Sequence, residues 1–257
     1  MKIATWNVNS IRAREERLLT WLVKQQPDIV CLQELKVTEE TFPFEALRQA
    51  GYYAAVHGQK TYNGVAILAR TEPTEVERGL GDDVEDPQAR LIAATVDGIC
   101  ILSVYVPNGG EVGTEKYAYK LEWLCRLRNY LVNRDLLTRP LLLCGDFNIA
   151  PEERDVAHPP AWQGTVLFNP EMCNQFREIL DLKLVDIFRL HRAETGYYSW
   201  WDYRQLGFPR NDGLRIDHIL ATRSLTDRCT AALIDREERK GAKPSDHAPV
   251  IAIFDWP

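Results

Sequence analysis

Apolar residues in this chain come in short runs rich in β-branched side chains, separated by polar turns. The runs 2–8, 29–33, 52–56, 65–70, 91–96, 99–105, 141–144, 219–221 and 250–255 read as strands. Asn63-Gly64, Asp97-Gly98 and Asn108-Gly109-Gly110 punctuate them. Asp97-Gly98, set between two apolar runs, predicts a hairpin. Helical spacing takes over in three stretches. Residues 14–23 carry Leu18, Leu19, Leu22 and Val23; residues 117–137 carry Leu121, Leu124, Leu127, Leu131 and Leu136; residues 171–182 carry Phe176, Ile179 and Leu180. Strands outnumber helices, and hairpins alternate with helical crossovers, which predicts an α/β layered sandwich with mixed sheets. No linker-like or repetitive segment divides residues 1–257, so a single domain is expected.

The 257 residues are 45% hydrophobic and 26% charged, which excludes a disordered tail, a collagen-like fibre and a disulfide miniprotein. No apolar run reaches the ~18 residues of a membrane span. The first residues enter a strand pattern without a basic segment, apolar core and cleavage site, so no signal peptide is expected. None of the six cysteines forms a Cys-x-x-Cys pair, and Cys31, Cys100 and Cys144 lie in apolar runs. They read as reduced thiols of a cytoplasmic protein. A net charge of −6 argues against an all-round basic coat but leaves room for a local basic patch.

Candidate chemistry gathers where the strands stop. Strand 2–8 ends on Asn7-Val8-Asn9, strand 29–33 leads to Glu34, and strand 141–144 leads to Gly145-Asp146-Phe147-Asn148. Asp217-His218 and Asp246-His247 precede two further strands. On an extended chain residues two apart share a face, so Asn7 and Asn9 are expected to project together, as are Asp146 and Asn148. If these ends converge, Glu34, Asp146, Asp217 and Asp246 meet in one pocket. Four close carboxylates repel. A hard divalent cation relieves that repulsion, and oxygen ligands suit Mg²⁺ or Mn²⁺. His247 is the natural imidazole, oriented by a neighbouring carboxylate. Singly, each motif has a plainer reading: a turn for Asp146-Phe147-Asn148, a solvated helix start for Glu34, a packed ring for His218 and a core pair for Trp200-Trp201. Their joint order is what carries weight.

That order resembles the exonuclease III family of DNA-repair nucleases, within the endonuclease/exonuclease/phosphatase superfamily. The blocks that carry the resemblance include Ile3-Ala4-Thr5-Trp6-Asn7-Val8-Asn9-Ser10, Leu32-Gln33-Glu34-Leu35-Lys36, Gly145-Asp146-Phe147-Asn148, Arg215-Ile216-Asp217-His218 and Ser245-Asp246-His247-Ala248-Pro249. The resemblance spans nearly the whole chain. It implies a four-layered α/β sandwich, with two packed mixed β-sheets flanked by helices. It also implies roles. Glu34 looks like the principal metal ligand, assisted by Asn7, with Asp246 at the metal or behind it. Asp146 looks like the residue that orients or deprotonates water, and Asn148 holds that nucleophile and a phosphate oxygen. His247, held by Asp217, contacts the scissile phosphate. Tyr105 and Asn108 match positions that contact the phosphate or the leaving group.

Duplex DNA with abasic sites or blocked 3′ ends is the implied partner, Mg²⁺ or Mn²⁺ the implied cofactor, and a monomer the implied state. Lys60, Tyr62 and Asn63 in one loop, Lys116 and Lys120 one helical turn apart, and Arg204, Arg210 and Arg215 around an aromatic segment are candidate DNA contacts. Trp200, Leu214 and Ile216 fall on positions that line the family's pocket for a sugar lacking its base. Glu111 stands where some relatives place a basic, DNA-inserting residue, and residues 156–169 resemble the family only loosely. Both internal abasic cleavage and 3′-end trimming are therefore expected. The competing readings are a relative acting on another phosphate ester, and a catalytically silent DNA-binding protein.

Overall fold

The computed structural model describes residues 1–133, 136–204 and 206–256. The first sheet contains β1 (Lys2–Asn7), β2 (Ile29–Gln33), β3 (Tyr53–His57) and β4 (Val65–Ala69). The second contains β5 (Thr74–Arg78), β6 (Leu91–Val96), β7 (Ile99–Tyr105), β8 (Leu141–Asp146), β9 (Leu184–Asp186) and β10 (Asp217–Thr222). The chain then returns to the first sheet through β11 (Cys229–Ile234) and β12 (Val250–Phe254). Strand order is β11-β12-β1-β2-β4-β3 in one sheet and β5-β6-β7-β8-β10-β9 in the other. Both sheets are mixed, with β1 parallel to β2 and β7 parallel to β8. Each parallel pair needs a crossover, supplied by α1 (Ile11–Gln25) and a longer helix, Glu115–Asn133.

Alternation along the central strands builds the layers. In β2, Ile29 and Cys31 face the opposite sheet, while Val30 and Leu32 face α1. In β8, Leu142 and Cys144 face the first sheet, while Leu141 and Leu143 face the helix Glu115–Asn133. Three apolar seams result: helix on sheet, sheet on sheet, and sheet on helix. This is the four-layered sandwich that the resemblance implied. Near one end of the middle seam the apolar pattern breaks. Thr5, Gln33 and Ser103 are buried there and bonded to one another, Gln33 Nε2 to Thr5 Oγ1 at 3.0 Å and to Ser103 Oγ at 3.2 Å. Both sheets end in functional residues immediately beyond this bridge.

The hairpin at Asp97-Gly98 forms with both residues at positive φ, 49° and 77°, as its two-residue loop requires. The expectations missed β5, β9 and β11. All three are edge strands; β9 is three residues long and β5 is mostly exposed, so neither shows a buried apolar run. The helix expected over 117–137 runs from Glu115 to Asn133, and its residues 134 and 135 lie outside the described residues. Leu136–Thr138 form a separate 3₁₀ turn.

Candidate active site

Strand register places the site before any side chain is considered. In the second sheet Asp146 has Tyr105 as its partner on β7 and Asp217 as its partner on β10. In the first sheet Asn7 pairs with Gln33, the residue before Glu34. His247 enters from the loop before β12. Gly145 lets β8 approach β7: a Cβ there would lie 1.9 Å from the Val104 carbonyl oxygen.

The chain leaves the strands abruptly at these ends. Glu34, Asn9 and Asn148 all take positive φ, between 44° and 53°. The two asparagines follow side-chain turns, in which Asn7 Oδ1 accepts from Asn9 N at 3.0 Å and Asp146 Oδ1 accepts from Asn148 N at 2.9 Å. Asn7 and Asn9 therefore do not share a face as the extended-chain argument expected. Asn9 turns to Asp246 and Lys36, while Asn7 turns inward.

The ligating atoms of Glu34, Asp146 and His247 lie within 4.8 Å of one another. Asn7 Nδ2 donates to Glu34 Oε1 and Asp146 Oδ2, each at 2.9 Å. With its Oδ1 accepting from Asn9 N, Asn7 ties the two carboxylates together through its amide nitrogen. Tyr105 OH donates to Glu34 Oε1 at 2.9 Å. Burial and the charge of Glu34 push the Tyr105 hydroxyl well above its ordinary range, so it remains a donor. Lys36 Nζ lies 2.9 Å from Glu34 Oε2. Burial alone would raise the Glu34 carboxyl, but Lys36 and the bond from Asn7 outweigh it and leave it below its ordinary value.

His247 Nδ1 meets Asp217 Oδ2 at 2.9 Å, and its Nε2 lies 3.7 Å from Asp146 Oδ2. Burial disfavours the imidazolium, yet Asp217 and Asp146 raise its pKa to about 10. Burial, together with the charge of Asp217, raises Asp146 to about 7 against the opposing pull of His247. Ser199, which sequence reasoning missed, completes this line. Its Oγ donates to Asp217 Oδ2 at 2.6 Å and accepts from the backbone N–H of Ile216 and Asp217. Asp246 stands apart from the cluster: Asn9 Nδ2 and Trp200 Nε1 donate to its two oxygens at 2.9 and 3.0 Å. It orients the Trp200 ring and lies outside the three-residue cluster where a metal was expected.

The donor set fits a hard divalent cation. Two carboxylates and an imidazole converge in a buried pocket, and the like charges of Asp146 and Asp217 are what a cation offsets. Glu34 and Asp146 would hold it.

The expected DNA contacts divide. Lys60, Tyr62, Lys116, Arg204 and Arg210 are exposed, and Asn108 is exposed beside the cluster with its Nδ2 donating to Asn148 Oδ1 at 3.1 Å. Asn63 is buried, and its Nδ2 donates to Gln59 and Gln88 within its own loop region. Leu214 and Ile216 are fully covered, leaving Trp200 as the open wall residue. Trp162, from the loosely matching segment, packs edge-on against Trp200 at 5.8 Å. Arg215 and Lys120 are wholly buried, which corrects their reading as phosphate contacts. Arg215 bonds Asp155 Oδ1 at 2.6 Å, Asp186 Oδ2 at 2.7 Å and His218 Nδ1 at 2.9 Å, a set of partners that holds a guanidinium in the core.

The chain belongs to the endonuclease/exonuclease/phosphatase family, whose pattern matches residues 4–247. Within it, the chain is 38% identical to an exodeoxyribonuclease III of Haemophilus influenzae, over 99% of this chain and all of that one. Its fold superposes on an AP endonuclease from Archaeoglobus fulgidus with a TM-score of 0.96 at 40% identity, and on the 3′ phosphatase NExo from Neisseria, bound to a product DNA hairpin, with 0.97 at 43%. Both superpositions cover the whole of each chain.

Proposed function

We propose that this chain is a divalent-metal-dependent DNA-repair nuclease that hydrolyses phosphodiesters in duplex DNA, at abasic sites and at blocked 3′ ends, working as a monomer in the cytoplasm. The observation that carries this reading is the convergence of Glu34, Asp146 and His247 within 4.8 Å, with Asp217 behind the imidazole. The names of the relatives, an exodeoxyribonuclease III, an AP endonuclease and a 3′ phosphatase, support the substrate class.

A phosphodiester is already anionic, so the site must offset further charge as water attacks. Asp146, whose Oδ2 faces His247 Nε2 across the cluster, takes a proton from that water. His247, held charged by Asp217, donates to a non-bridging phosphate oxygen through Nε2. Asn148 and Asn108 steady the phosphate and the departing oxygen. Tyr105 and Asn7 keep Glu34 in place. Glu34 and Asp146 are the residues that would hold Mg²⁺ or Mn²⁺, which would supply Lewis-acid stabilisation of the developing charge. No covalent enzyme intermediate is needed. Lys60, Tyr62, Lys116 and Arg204 contact the backbone around the pocket, and Trp200 abuts the baseless sugar.

Three duplexes test the reading: one with a single abasic analogue, one with a 3′ phosphate and one blunt, each incubated with Mg²⁺ and with EDTA. Cleavage of the first two that EDTA abolishes is the expected result. Cleavage that survives EDTA, or none on any duplex, overturns it.

A further inference from the structure

Lys120 lies on the helix Glu115–Asn133 with its side chain fully buried. Its Nζ donates to the carbonyl oxygens of Asn148 and Val166 at 2.7 Å each and of Asn108 at 3.2 Å. Three acceptors call for three N–H donors, which only the ammonium form supplies. Burying an ammonium is costly and pulls this amine down to about 7, while an apolar replacement would leave three buried carbonyls without a donor. Burial by itself therefore does not explain the charge.

The identity of the acceptors does. Asn108 lies in the loop after β7, Asn148 in the loop after β8, and Val166 in the segment that brings Trp162 against Trp200. These are three separate walls of the site, and one cation joins their backbones from behind. The loop rests directly on the lysine: a Cβ on Gly109 would come within 3.0 Å of its Cδ. In front of it the Asn108 and Asn148 side chains are bonded to each other, and Asn148 Nδ2 donates to the Val106 carbonyl.

We propose that Lys120 is a positioning residue, whose buried ammonium sets the Asn108 and Asn148 loops, and the Val166 segment beside them, at the spacing the scissile phosphate requires. The proposal rests on reading the site as a phosphodiesterase. The parent enzyme's cleavage of the abasic duplex, measured first in the same assay, tests that reading separately. Lys120→Met keeps the bulk and removes the donors. Its kcat is expected to fall about 10²-fold, the scale of a small displacement of reacting groups. KM for the same duplex stays within about threefold, because the lysine touches no DNA. In an Asn108→Ala background the same change costs about tenfold or less, since one of the loops it acts through has lost its side chain. Lys120→Gln retains a donor amide and is expected to keep about tenfold more kcat than the methionine variant. Circular dichroism and thermal unfolding accompany each assay. An unchanged kcat, a loss confined to KM, or full additivity with Asn108→Ala overturns the proposal. So does failure of both lysine variants to fold, which would make Lys120 a stability residue alone.

Discussion

Asp146→Asn is expected to lower turnover on the abasic duplex by about 10³-fold or more while leaving the fold intact. General-base help alone is worth ~10²–10⁴-fold. The change also removes one of the two carboxylates proposed to hold the metal. Shape is conserved, and the asparagine oxygen can still accept from Asn148 N, as Asp146 Oδ1 does at 2.9 Å, at the loss of the one bond that Oδ2 accepts from Asn7 Nδ2. The buried carboxylate is the less comfortable group in this place, raised by burial and by the charge of Asp217. Removing its charge is therefore expected to leave the thermal midpoint at or near that of the parent. Turnover within tenfold of the parent would assign the base elsewhere. A collapsed melting curve would make Asp146 structural.

The largest stability effect is expected at Arg215, a residue whose place in a basic and aromatic stretch suggests DNA. Arg215→Met leaves Asp155 and Asp186 in the core without the guanidinium that joins them, and removes the donor to His218. Breaking one side of a buried ion pair costs about 3–5 kcal/mol, a large part of the ~5–15 kcal/mol that holds a folded domain together. Arg189, which also bonds Asp155, offsets some of this. A urea melt reads the loss as a lower midpoint. At a temperature where the variant is folded, the salt dependence of its DNA affinity is expected to match the parent, since each lost phosphate contact would lower that slope by about one. Unchanged stability with a shallower salt slope would restore the phosphate reading.

The same network predicts a pH response. Burial and the charge of Arg215 pull His218 down to about 4 from its ordinary 6.5. Its neutral ring accepts from Arg215 at Nδ1, and Nε2 lies 2.9 Å from the Ile149 carbonyl, beside the Asn148 turn. Between pH 6.5 and about 4 the unfolded chain binds a proton at this site that the folded one refuses, so the stability His218 contributes falls as pH drops through that window. Asp155 adds to this. Burial would raise its carboxyl, but Arg215 and Arg189 outweigh burial and hold it below its ordinary range, so its contribution is also lost on acidification. Asp146 and His247, both raised, oppose this over the same window, so the test compares the change in urea midpoint between pH 7.5 and pH 5 in the parent with that in His218→Asn; the same change in both would contradict it.

Much was legible from one dimension. Central strands buried on both faces must be continuous apolar runs, so β2, β6 and β7 were predicted at their observed bounds. Carboxylates that follow such strands marked the site, because a strand end is a rigid place for a polar group. Of the edge strands, β3 shows as the run 52–56, but β5 and β11, which largely face water, left no comparable trace. Ser199, Lys36 and the bridge of Thr5, Gln33 and Ser103 are ordinary polar residues with no local signature.

The pattern of apolar runs thus predicted, without coordinates, a layered α/β sandwich, and the motifs at their ends carried the resemblance that implied the family and Glu34, Asp146, Asp217 and His247 as candidate site residues. Which charges meet DNA was decided only in three dimensions. A lysine or arginine has the same local sequence signal whether it faces solvent or core. Only the packed neighbours of Arg215 and Lys120, two carboxylates for one and three carbonyls for the other, turned expected phosphate contacts into internal braces. The hydrogen bonds that Asn7 Oδ1 accepts from Asn9 N, and Asp246 from Asn9 and Trp200, were likewise set only once the loops left the extended conformation.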